Sequence, residues 1–220
     1  MKIRGYSENE YLMFLEKQLS NFFPDMESSG NLIRNHFKSA LLRTIHCVNS
    51  VKLWNLDEFD PFHSSQNTIF LYYLSNTIWK NSGNTEIPLR LFLLNKALNG
   101  IDCFYEIELP EKFFIGHSVG IVLAKARYSN YLVLYQNSTV GKNAGIAPVI
   151  ETGVVMFPNT AVIGKSVVRR GTIISQGVSV INQETESDKY VFQGLNGKLV
   201  FKTPKHSVLS DIFREPIQLD

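Results

Sequence analysis

The sequence predicts an α+β protein, with an N-terminal α-helical domain followed by a parallel β-helix. Three observations carry this. Residues 1–100 hold long segments of helical spacing with few β-branched runs. After Pro110 the chain fills with Val, Ile, Thr and Gly. Within that second half, aliphatic residues recur at every sixth position, a period that neither a helix nor a hairpin strand produces. The division expected is a helical domain over 1–104, a β-helix over 105–204 and a tail over 205–220.

The helices come first. Leu12, Leu15, Leu19 and Phe22 form an amphipathic stripe, with Ser7 placed to cap it and Pro24 to stop it. Ile33, Phe37, Leu41, Ile45 and Val48 form a second stripe. Ser64 or Ser65 is placed to cap a third helix through Phe70, Leu74 and Ile78. A fourth runs from about Pro88, a good first-turn residue, to Leu98, with Asn99-Gly100 as a left-handed stop. Core packing accounts for these stripes. Tyr72, Tyr73 and Trp79 suit either a core or an interface.

The β half is read from three sets at a spacing of six. Ile150, Met156, Val162, Val168, Ile174 and Val180 are all aliphatic or Met. Val154, Thr160, Ser166, Thr172 and Val178 are small or β-branched. Gly153, Asn159, Lys165, Gly171 and Gly177 are mostly residues that tolerate positive φ at a corner. One strand and one turn per face, three faces per coil, gives this pattern. The aliphatic set points inward and stacks. Between Leu109 and Gly141 the period is ragged, as in earlier coils that carry irregularities.

Composition narrows the function classes. The chain has 220 residues, 44% hydrophobic and 19% charged, so it can bury a core. A net charge of +2 excludes a polybasic nucleic-acid coat. Cys47 and Cys103 are too few for a disulfide framework and lack zinc-site spacing, so no metal is expected. The N-terminal stretch has charges inside its apolar run, unlike a signal peptide. No run approaches the roughly 18 apolar residues of a membrane span. The expectation is a cytoplasmic protein with neither nucleic-acid partner nor membrane span. Of five histidines, His36 and His46 fall on the second helix, His63 in a turn and His206 in the tail. His117 alone lies in the β half, between Gly116 and Gly120.

That residue opens a run, His117-Ser118-Val119-Gly120-Ile121-Val122-Leu123, which leads into Val133-Leu134-Tyr135-Gln136-Asn137-Ser138-Thr139-Val140-Gly141. It resembles the serine acetyltransferase family, in which His-Ala-Thr-Gly-Ile-Val leads into Leu-Gln-Ser-Val-Thr-Leu-Gly. Val191 to Lys198 resembles the Gly-x-Pro-Ala-Lys closing element of such acyltransferases, with Asn196-Gly197 in place of Pro-Ala. The resemblance implies a left-handed β-helix of hexapeptide repeats and direct acetyl transfer from acetyl-CoA, a co-substrate, to a hydroxyl, with the imidazole of His117 as general base. It implies a homotrimer with active sites between two β-helices; the helical domain could join two trimers into a dimer of trimers, recognise the acceptor or dock a partner. Glu106 or Glu108 would orient the base, and Gln136 would lie near the groove. Lys165, Arg169, Arg170 and Lys198 would meet the coenzyme A phosphates, while Gly141 and Gly164 would let the pantetheine arm pass.

Two departures from the family bear on the acceptor. Ala147 stands where the family has a second His, and the arginine near it is missing. The chain ends Gln218-Leu219-Asp220, not on the family's isoleucine. These differences favour a sugar hydroxyl of a polysaccharide precursor, with serine next and a sugar amine third. The rival from another class is a non-catalytic β-helix scaffold.

Overall fold

The computed structural model describes residues 2–24 and 30–214. Helix α1 (Glu8–Phe22) starts at the expected cap. Ser7 Oγ accepts the Glu10 N–H, and the Glu10 carboxylate accepts the Ser7 N–H at 2.8 Å, a reciprocal capping box. Leu12, Leu15 and Leu19 face inward, whereas Phe22, the last member of the stripe, is exposed. All five apolar residues of the second stripe are buried on α2 (Gly30–Ser50).

Helix α3 (Ser64–Ser82) differs from expectation at its start. Its N-cap is His63, which makes no side-chain cap bond, and both serines lie inside the helix. Residues Thr68–Ile78 are buried without a break, because α3 is packed on every side. Tyr72 and Tyr73 therefore belong to the core, and Trp79 is half-buried beside Tyr105. Helix α4 (Glu86–Asn99) ends as predicted, at Gly100 with φ 68°.

The β-helix has three parallel faces. The first stacks Phe113–Gly116, Leu132–Tyr135, Val155–Met156, Ile173–Ile174 and Tyr190–Gln193. Leu199–Lys202 closes it as an antiparallel strand. The second stacks Asp102–Cys103, Val122–Leu123, Thr139–Gly141, Ala161–Ile163 and Ser179–Ile181. The third stacks Arg127–Tyr128, Val149–Ile150 and Val167–Val168. In the regular coils Val155 pairs with Ile173, 18 residues on. Across the preceding coil the offset is 22, because Val133 pairs with Val155. The loop over 142–148 carries the extra residues.

The hexapeptide reading holds at every position but one. All six members of the aliphatic set are fully buried, and the small set lies beside them. Each such Val or Ile contributes about 1.5–3 kcal/mol on burial. Gly153, Asn159, Gly171 and Gly177 adopt positive φ, as their corners require. At Lys165 the expectation slips by one: Gly164 takes the left-handed corner with φ 70°.

One apolar cluster spans the two halves, and a second lies within the helices. Val48 on α2, Val51 just after it, and Tyr72 and Tyr73 on α3 belong to the same cluster as Phe113, Leu132 and Met156. The stretch expected to be a tail is docked through residue 214. Helix α5 (Val208–Ile212) buries Leu209 and Ile212, and Phe213 bridges to Val51. The Arg214 guanidinium donates to the carbonyls of Val51 and Trp54. The terminal Gln218-Leu219-Asp220 lies outside the described residues.

Candidate active site

His117 sits at the corner joining the first face to the second. Gly116 pairs with Tyr135 and Val122 with Thr139. This corner thus spends five residues where the next coil spends three. The expansion brings out His117, whose φ of 67° lies in the left-handed region. For a residue with a Cβ that conformation costs roughly 1–2 kcal/mol. The surroundings hold it there. Ser118 is buried, and its Oγ donates to the carbonyl of Asn99 at 2.6 Å. Gly120 donates its N–H to the carbonyl of Gly100 at 2.9 Å. The end of α4 therefore fastens the turn. The imidazole is exposed and has no hydrogen bond or ion pair among the described residues. Strain at an unpartnered, exposed histidine makes this position a candidate for function.

Gln136 occupies the same corner one coil on, directly after Tyr135. Its Oε1 is buried without a hydrogen-bond partner among the described residues. Leaving such an oxygen unmet costs about 1–3 kcal/mol.

The carboxylates are not brought to His117 within the chain. Glu106 pairs with Lys125 at 2.9 Å, and Glu108 pairs with Lys80 at 2.9 Å. Among the cations, Arg169 is held by Glu151 and Glu184, and Arg170 faces Asp188 at 3.7 Å. Lys165 and Lys198 are exposed and make no ion pair among the described residues. Lys142, which sequence reasoning missed, is equally free. It follows Gly141, whose carbonyl accepts the Gly164 N–H at 3.0 Å, so Lys142 and Lys165 stand near one corner in successive coils. The stacking register, rather than the local sequence, reveals that pairing. Both glycines have reasons inside the fold. A Cβ on Gly141 would lie 2.7 Å from Ile163 Cδ1, and one on Gly164 would lie 2.2 Å from Asn182 Oδ1.

Cys47 and Cys103 are buried free thiols. Burial pushes Cys47 up to about 12 and Cys103 upward as well, so neither supplies a thiolate near neutrality. Among the described residues there is no group of three His, Cys, Asp or Glu side chains able to hold a metal. Among the described residues no helix is long and apolar enough to cross a membrane.

Fold and site together define a class: a hexapeptide-repeat β-helix with a helical N-terminal part and a lone histidine presented at a coil corner. Within that class the chain is similar to the serine acetyltransferases. The serine acetyltransferase of Synechococcus elongatus is 28% identical over 122 residues, which cover 53% of this chain and 49% of that protein. The match thus spans about half the length of this curated relative. The crystal structure of Neisseria gonorrhoeae serine acetyltransferase superposes with a TM-score of 0.72 at 16% identity, covering 98% of this chain and 86% of the other. A serine acetyltransferase in complex with CoA gives 0.71 at 16%, covering 88% and 84%. The likeness establishes the fold over both halves of the chain. No protein-family model matches the sequence.

Proposed function

We propose that the protein is an acetyl-CoA-dependent O-acetyltransferase in which His117 is the general base. The observation that carries this is the strained, exposed and unpartnered imidazole at an expanded corner of the β-helix. Acetyl-CoA supplies the activated acyl group. His117 takes the proton of the acceptor hydroxyl as its oxygen attacks the thioester carbonyl. The C–S bond breaks, and the imidazolium returns the proton to the leaving thiolate. The chain's two thiols are too deeply buried to carry the acyl group, so transfer is direct. Gln136 Oε1 accepts a hydrogen bond from the bound reactants. Lys142 and Lys165, with Lys198, meet the coenzyme A phosphates as unpaired cations. Arg169 and Arg170 serve less well, because carboxylates already neutralise them. A site shared between two copies of a trimer would account for the lack of a carboxylate paired with His117 among the described residues.

For the acceptor, similarity to enzymes named for serine supports L-serine above the saccharide favoured by the sequence departures. The saccharide hydroxyl stays as a second reading because of Ala147, at the end of the loop where the family has a histidine. The test is release of free coenzyme A with serine and with a saccharide panel, using wild type and His117→Ala. The variant is expected to lose about 10²–10⁴-fold in kcat. Full activity in the variant would overturn the mechanism. Failure of calorimetry to detect acetyl-CoA binding would return the scaffold reading.

A further inference from the structure

We propose that the cleft between α2, α3 and the segment entering the β-helix binds a small ligand through an oxyanion, a carboxylate or a phosphate, with Arg43 as its anchor. The cleft has a volume of about 740 Å³, within the range of metabolite sites. Arg43 lines it from α2 and is half-buried. Its Nη1 donates to Asn76 Oδ1 at 2.9 Å and Thr77 Oγ1 at 2.7 Å. The guanidinium lies over the Tyr73 ring, 4.3 Å from its centroid. These supports are fixed in turn. Asn76 donates to the Tyr105 carbonyl at 2.8 Å, and Tyr73 donates to the Pro110 carbonyl at 3.1 Å. The guanidinium plane is therefore set before any ligand arrives.

None of those partners is an anion. Arg43 has no ion pair among the described residues, and no acceptor there meets its Nε or Nη2. Of the other charged groups lining the cleft, Lys80 pairs with Glu108 at 2.9 Å, and Glu111 lies 3.7 Å from His46 Nε2, an ion pair only when that imidazole is protonated. Arg43 is thus a rigidly held cation with no carboxylate in contact among the described residues. Stacking on Tyr73 covers its face but leaves the Nε–Nη2 edge without a partner. That edge is the fork that binds two oxygens of a carboxylate or phosphate side by side. A half-buried cation held ready with its fork unused is the arrangement of an anion subsite.

The test follows the Arg Nε–Hε resonances by NMR in the full chain. Sodium malonate and inorganic phosphate are titrated separately against ionic-strength-matched sodium chloride. The signal missing from Arg43→Lys identifies Arg43. We expect a saturable shift of that signal with one or both anions, and the arm that saturates at lower concentration names the oxyanion. Binding by calorimetry should weaken at least tenfold in Arg43→Lys, which keeps the charge and loses the fork, and should vanish in Arg43→Gln. No response beyond that to chloride, or equal affinity in Arg43→Lys, would overturn the proposal. If Arg43→Gln does not fold, the lysine variant decides alone. The outcome is independent of whether His117 is catalytic.

Discussion

At the residue scale the corner beside His117 is governed by space and backbone sign. Gly120 has φ 76°, and a Cβ there would lie 2.0 Å from Asn137 Oδ1. Asn137 is itself left-handed and donates to Asn159 Oδ1 at 2.9 Å, so its amide cannot move freely. Gly120→Ala should therefore lose about 1–3 kcal/mol of stability. Urea denaturation would measure it, and adding Asn137→Gly should recover the part due to the clash but not the part due to φ. The candidacy of His117 was legible because it stands between glycines in a β segment. Its strain and exposure were not, because they follow from two extra residues that become visible only when Gly116 and Tyr135 are paired. The surroundings of the candidate carboxylates were not legible for a related reason: Glu106 and Glu108 are close to His117 in sequence, yet each pairs with a lysine of the same chain.

At the scale of the element, the repeat was the most legible feature. Burial alternates with geometry, so Ile174 is fully buried while Ile181, in the last strand of the second face, is about half-exposed. Ile174→Ala should cost about 2–5 kcal/mol, and Ile181→Ala within about 0.5 kcal/mol, as measured by thermal or chemical unfolding. The misplaced corner at Lys165 shows the limit of a strict period. The Asn182 side chain accepts the Lys165 N–H at 2.9 Å, and the left-handed turn falls one residue earlier, on Gly164. In the helical half, α3 hid its depth. Its serines, asparagines and threonines read as a polar face, but Ser75 bonds back to the Tyr72 carbonyl and Asn76 to Tyr105, so it is buried all round.

At the scale of the whole molecule, the helical half does more than sit beside the coils. Asn99 donates to Asn67 Oδ1 at 2.8 Å and to Asn95 Oδ1 at 2.9 Å, while its carbonyl holds Ser118. A buried polar chain thus runs from α3 through α4 to the residue after His117. Ser118→Ala should cost about 1 kcal/mol of stability and lower kcat about tenfold or more through misplacement of the base. The KM for acetyl-CoA should hold, and steady-state kinetics would separate the two. This role of the helices was not legible, because no spacing in the sequence links Asn99 to a turn in the next domain.

The stacking register also makes chain length a discrete variable. A complete coil of 18 residues can be gained or lost with every face still matched, whereas six would rotate the remaining strands onto the wrong wall. Other changes of length must be absorbed at the bends, as the loop over 142–148 and the His117 corner both show. Changes of length are thereby steered to the bends, where His117 and Lys142 lie, while the walls resist them.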